Sequence, residues 1–149
     1  MSLAPLCNTD FVALKDTDTV GEATAQMLRH GVTDLPIVDA KGKLLGMFKL
    51  DRVFASLLPK AALIGYGMPD LSFVGESFEH LRDHMRQVEH ERVTSYVLTP
   101  HSVRLDSSPL EVVLLLYRGA GAVPVVGGSG ELVGIVSARD LLAALHQET

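Results

Sequence analysis

At 149 residues, 47% hydrophobic and 21% charged, the chain has the length and balance of one globular domain, or of two small repeats sharing a core. A net charge of −5 and a pI near 5.6 exclude electrostatic capture of nucleic acid or an anionic membrane, and with no Trp there is no aromatic platform for stacking bases. A single cysteine, Cys7, excludes an intramolecular disulfide and suits a reducing cytoplasm.

The first segment with a pattern, "FVALKD" (11–16), reads as a short extended piece. "TDTVGEATAQMLRHG" (17–31) predicts an amphipathic helix with Val20, Ala23, Met27 and Leu28 on one stripe and Gly31 as its stop. "PIVD" is an apolar run of the kind buried on both faces of a sheet, "AKGK" is turn chemistry, and "LLGMF" is the returning strand. A helix follows over "DRVFASLL", starting at Asp51 because Lys49 is a poor N-cap.

Next, "PKAALIGYGMPDLSFVG" (59–75) predicts an ordered loop. "ESFEHLRDHMRQVEHER" (76–92) predicts a surface helix whose stripe of Phe78, Leu81, Met85 and Val88 packs on another surface, a second subunit being one option. "SVRLD" (102–106) is again a short extended piece. "SSPLEVVLLLYRG" (107–119) is a helix with Ser at the N-cap and Pro at N1. "PVVG", "GGSGE", "LVGIV" and "ARDLLAALH" then give strand, turn, strand and helix. The most apolar stretch, 109–126, is interrupted by Glu111 and Arg118 and falls short of the ~20 uncharged residues that span a bilayer.

The two halves are written to one template. Residues 35–57 align without a gap on 123–145, with Pro36, Gly42, Leu44, Gly46, Ala55 and Leu57 identical to residues 88 positions later. The unit is strand–helix–strand–strand–helix, twice, a mixed α/β (α+β) fold with an inserted connector helix. The polar letters differ. Ser137 and Asp140 of "GIVSARDLL" stand where "GMFKLDRVF" has Lys49 and Arg52.

This pattern of a proline before a strand, a hairpin glycine and Gly-x-x-[Ser/Thr]-x-x-Asp resembles the cystathionine-β-synthase (CBS) domain family, whose tandem pair is called a Bateman module. The resemblance covers residues 8–58 and 94–146, with 59–93 as connector. It implies two repeats related by a pseudo-two-fold, a homodimer, and no chemistry of its own. It also implies an adenosine-based ligand held between the repeats, with adenosine, AMP, ADP, ATP and S-adenosylmethionine as candidates. It further implies that no cofactor is required and that the partner is an effector protein which the module regulates.

The residues themselves allow two readings of "SARD". Ser137 and Asp140 have the spacing of a helix N-cap and its N3 acid. The same geometry offers a helix N-terminus to a phosphate and a carboxylate to the cis-diol of a ribose. In the resembled family the Asp holds the ribose and the Ser/Thr lies beside the phosphate, roles that carry over to Asp140 and Ser137. Arg139 reads as a phosphate contact or as a surface arginine. Gly121, Ala122 and Val123 match the family's ligand-facing segment before the proline, without the basic residue found there in strong phosphate binders. Cys7, Asn8 and Thr9 complete the cleft by family pattern, or are simply the lead-in to a strand. Cys7 alone also reads as an apolar filler.

A second cleft, with Asp34, Leu35, Lys49 and Thr99 as its candidates, lacks the ribose clamp. It reads as empty, or as an anion site through Lys49. His80 and His84 have metal-ligand spacing but no third ligand on that face, so no metal and no catalytic residue is assigned. The two leading functions are a ligand-sensing regulatory module and an interaction scaffold in which "SARD" only caps a helix.

Overall fold

The computed structural model describes residues 2–63, 71 and 77–146. The expected loop at 59–75 lies largely outside them; what is described is a 3₁₀ turn at Lys60–Leu63. The first repeat comprises β1 (Leu14–Lys15), α1 (Val20–His30), β2 (Asp34–Val38), β3 (Leu44–Lys49) and α2 (Leu50–Leu57). The connector carries α3 (Phe78–Glu89) and a 3₁₀ turn at Val93–Tyr96 that leads into β4 (Val97–Leu98). The second repeat holds α4 (Pro109–Tyr117), β5 (Ala122–Val126), β6 (Leu132–Ser137) and α5 (Ala138–Leu145).

The helix signals act where the sequence places them. Thr19 caps α1 by accepting from the Glu22 N–H, and Gly31 ends it in the left-handed region at φ 64°. Ser108 caps α4 ahead of Pro109. Two positions differ from expectation. The α1 stripe buries Val20, Ala23 and Met27 but leaves Leu28 on the surface. Helix α2 starts at Leu50 with Lys49 in the N-cap position, making no side-chain cap, so Asp51 sits inside the first turn. The strand register decides this, because Lys49 is still paired with Asp34 and the chain turns directly out of the sheet.

The duplication is visible in the ladders. β2–β3 and β5–β6 pair antiparallel, Asp34 opposite Lys49 and Ala122 opposite Ser137, with the same irregularity between Ile37 and Val38 as between Val125 and Val126. In the first repeat, β1 runs parallel to β2. In the second, "SVRLD" contributes only a single parallel bridge, Val103 to Val125. The chain leaves the ladder there because Arg104 and Ser107 close a turn, the Arg104 N–H donating to Ser107 Oγ at 2.9 Å.

Each repeat lends its lead-in segment to the other. β4, at the head of the second repeat, pairs with β3 of the first. Asn8, which precedes the first, exchanges backbone hydrogen bonds of 2.8 and 3.0 Å with Ile135 of β6. Gly46 and Gly134 make room for these crossings. A Cβ at Gly46 would lie 2.8 Å from the Leu98 carbonyl oxygen, and one at Gly134 would lie 2.9 Å from that of Asn8. At the hairpin tips the repeats meet again, with Leu44 N–H donating to Gly130 O and Leu132 N–H to Gly42 O, each at 3.0 Å.

Two cores result. The first gathers Leu14, Val20, Met27, Leu35, Ile37, Phe48 and Val53 with Val88 and Val93 of the connector. The second gathers Val103, Val112, Val123, Val125 and Val136 with Leu3 from the N-terminal segment. Burial of such side chains contributes about 1.5–3 kcal/mol each. The connector stripe is thus covered by its own chain: Val88 is buried and Met85 packs on the first core, so no second subunit is needed to account for it. Phe78, at the start of that stripe, stays exposed under the Arg82 guanidinium.

Candidate functional site

A cavity of about 520 Å³ opens between the repeats. Its walls come from three places: the N-terminal segment around Asn8, Asp10 and Phe11; the α1–β2 turn from His30 to Pro36; and the second repeat at Gly121, Ala122, Ile135 and Ser137–Asp140. The size suits a small molecule, since ligand pockets run from about 300 to 1,000 Å³.

Asp140 is held by a reciprocal cap. The Asp140 N–H donates to Ser137 Oγ at 3.1 Å, while Asp140 Oδ2 accepts from the Ser137 N–H at 3.0 Å and from its hydroxyl at 2.9 Å. Two bonds therefore fix the carboxylate and a third its backbone, and both bonds the carboxylate accepts fall on Oδ2. Oδ1 accepts none among the described residues. A fixed, half-buried carboxylate with one free oxygen at a cavity wall can receive hydroxyl donors from a ligand. Capping and binding are compatible in this residue because they use different oxygens.

Across the cavity, Asp34 enters from the start of β2 in the other repeat. Its Oδ1 accepts from Thr33 Oγ1 at 3.1 Å and its Oδ2 from the Gly121 N–H at 3.2 Å. Burial pushes its carboxyl above the ordinary range, opposed by the Thr33 hydrogen bond, the nearby Lys49 charge and the Gly121 N–H. Lys49 reaches the second repeat as well, donating from Nζ to Gly119 O at 3.4 Å.

The structure thus brings Asn8, Gly121, Ala122, Ser137, Arg139 and Asp140 to one cavity. It adds Asp34 and Leu35, expected from the sequence in the second cleft. That is a correction, and its cause is the crossing of the repeats: the start of β2, which pairs with Lys49 at the head of α2, also reaches the cavity wall formed by the start of α5. Lys49 and Thr99 line neither this cavity nor the one described next. Val123 is buried in the second core and Thr9 is exposed outside both cavities. Cys7 lines a second, shallower cavity of about 530 Å³ with Pro5, Leu6, Ala143 and Ala144, sharing Asn8 and Asp140 with the first. Burial and the Asp140 charge push its thiol pKa up, the opposite of what a reactive thiolate needs.

Sequence reasoning missed Asp10, Phe11, His30 and Thr33. The available signal was the repeat itself. Once each lead-in strand crosses to the other repeat, the α1–β2 turn must face the start of α5. His80 and His84 stand exposed on α3, and among the described residues no group of three or more His, Cys, Asp and Glu is placed to hold a metal. No described helix is long and apolar enough to cross a membrane.

Two repeats of one βαββα unit, crossed at their lead-in strands around a shared cleft, define a tandem-repeat α+β module. The CBS domain family model matches residues 3–58 and 93–147, and the chain belongs to that family. No curated protein sequence matches it. Among solved structures, a CBS domain-containing protein from Kribbella flavida superposes with a TM-score of 0.71 at 21% identity, covering 99% of both chains. The CBS-pair protein CBSX2 from Arabidopsis thaliana gives 0.72 at 19% identity over 97% of this chain and 93% of its own. A complex of CBSX2 with AMP gives 0.66 at 22% identity over 97% and 95%.

Proposed function

We propose that the chain is a regulatory module that senses an adenosine-based nucleoside or nucleotide in the cavity between its repeats. The observation that carries this reading is Asp140, whose Oδ2 is fixed by the cap while Oδ1 is left to accept from a ribose. Ser137 and Arg139 stand beside it on the same wall, and AMP bound to CBSX2 supplies a precedent within the fold. Occupancy would bind one arrangement of the two repeats better than another and so bias an effector protein, without chemistry and without a required cofactor. The module works in the cytoplasm as a homodimer, which the single cysteine and the exposed apolar face of α4 support.

The test is thermal unfolding with adenosine, AMP, ADP, ATP and S-adenosylmethionine. A ligand of the folded state raises the midpoint, by ~2.7 kcal/mol of stabilisation at a hundredfold excess over Kd. Asp140→Ala should abolish the shift and Lys49→Ala should keep it. A second reading, an interaction scaffold, is favoured by one observation: the capping box alone accounts for Ser137 and Asp140. It predicts no shift with any of the five compounds in ligand-free protein.

A further inference from the structure

We propose that Asp34 sets the ligand class of the cavity, favouring an adenine nucleoside whose 5′ substituent carries no negative charge over AMP, ADP or ATP. This rests on the ligand-sensing reading above and narrows it.

Asp34 belongs to the first repeat, yet it lines the same cavity as Asp140 of the second. Its carboxylate is not free to swing away, since Thr33 Oγ1 and the Gly121 N–H hold one oxygen each. The Gly121 N–H matters most. Backbone N–H groups of a glycine turn are what a phosphate uses where no basic side chain is at hand, and here that donor is already taken by a carboxylate. A side chain at residue 121 would also displace the Asp34 carboxylate from its present position, because a Cβ there would lie 2.5 Å from Asp34 Oδ1.

Charge in the cavity points the same way. Asp10, Asp34 and Asp140 line it, against Arg139 on the exposed first turn of α5 and His30 on the exposed end of α1. Lys49, paired with Asp34 in the ladder and offsetting part of its charge, donates its Nζ to the Gly119 carbonyl and does not line the cavity. A phosphate would meet carboxylates in a partly desolvated site, where like charges repel far more than in water. A neutral nucleoside offers hydroxyl and amine donors to the same oxygens. The repeat alignment sets Ala122 opposite Asp34, so the acid belongs to one copy of the template only.

The experiment is calorimetric titration of the full chain with adenosine, AMP and ATP, using wild type, Asp34→Asn, Asp34→Ala and Asp140→Ala. Wild type should bind adenosine about tenfold tighter than AMP, with ATP weaker still. Asp34→Asn should tighten AMP about tenfold and move adenosine by less than about threefold. Asp34→Ala, which installs the residue found at Ala122, is the second variant should the amide disturb folding. AMP or ATP binding wild type as tightly as adenosine would overturn the role of Asp34, as would an equal change for all three ligands in the Asp34 variants. With Asp140→Ala still abolishing binding, that result leaves the sensing reading standing. If no adenine compound binds any variant, the sensing reading falls and the selectivity falls with it.

Discussion

At the scale of single residues, Asp140 and Asp34 differ in what holds them, and their variants should differ accordingly. Asp140 belongs to a cap. Losing a cap costs about 1 kcal/mol, so Ser137→Ala should lower stability by that amount in urea unfolding; a variant as stable as wild type would deny the cap any energetic role. Asp34 is half-buried, and burial raises its folded-state pKa above that of the unfolded chain. The sign follows from linkage. A raised carboxyl gives stability that is present in full below the unfolded pKa and is lost as the pH rises through the folded one. At neutral pH the charged form therefore opposes folding. Asp34→Asn should raise Tm at pH 7 and give no gain near pH ~3, below the ordinary Asp value of ~3.9. A gain that persists undiminished at acid pH would show that relief of charge is not the cause.

At the scale of elements, the exchanged lead-in segments are the feature with the clearest mechanical consequence. The Cys7 side chain and the Asn8 carbonyl both lie where a Cβ on Gly134 would stand. Gly134→Ala must therefore displace the segment from Leu3 to Asn8, which carries buried Leu3 into the second core. Overpacking of this kind costs about 1–3 kcal/mol. Hydrogen exchange should show faster exchange at Asn8 and Ile135, which bond each other; unchanged protection there would mean the strand tolerates the methyl. The glycines, caps and hairpins of this scale were legible in the sequence because local chemistry fixes them: Gly31 must take a positive φ, and Ser108–Pro109 can only start a helix. The crossing is implied for Cys7–Thr9 by the family resemblance and by no local chemistry, because pairing between Asn8 and Ile135 is set by packing across the whole chain. That packing brings Asp34 and Leu35, expected in the second cleft, to the cavity lined by Asn8 and Asp140, whereas the capping box of Ser137 and Asp140 reads directly from their local spacing. Leu28 escaped for a related reason. Its periodic position suits a core, and nothing local shows that α1 buries only its Val20–Ala23–Met27 edge.

At the scale of the molecule, helix α4 carries an exposed apolar face. Helix α4 buries Val112, yet Leu110, Val113, Leu114 and Tyr117 recur at helical spacing on its outer side, with Leu110 and Tyr117 75% and 85% exposed. Leu142 and Leu145 of α5 are exposed as well. A contiguous apolar face of this kind on a single chain marks a contact surface, and a self-complementary face is satisfied by a two-fold copy of itself. Light scattering should therefore give twice the 16.1 kDa chain mass. The thermal midpoint should rise with protein concentration, because association stabilises the folded state by mass action. Leu110→Glu combined with Tyr117→Asp sets charges across both ends of the stripe while leaving Val112 and the second core untouched. It should yield a folded monomer whose midpoint no longer depends on concentration. A wild-type chain that runs as a monomer at tens of micromolar, or a double variant that stays dimeric, would place the homodimer contact elsewhere or remove it. If the dimer forms through α4, each cavity is tied to the contact by a short path, since α4 leads through Gly119 directly into the Gly121–Asp34 junction at the cavity wall. Loss of the dimer should then change ligand affinity, and the ligand should change the dimer's dissociation constant by the same factor.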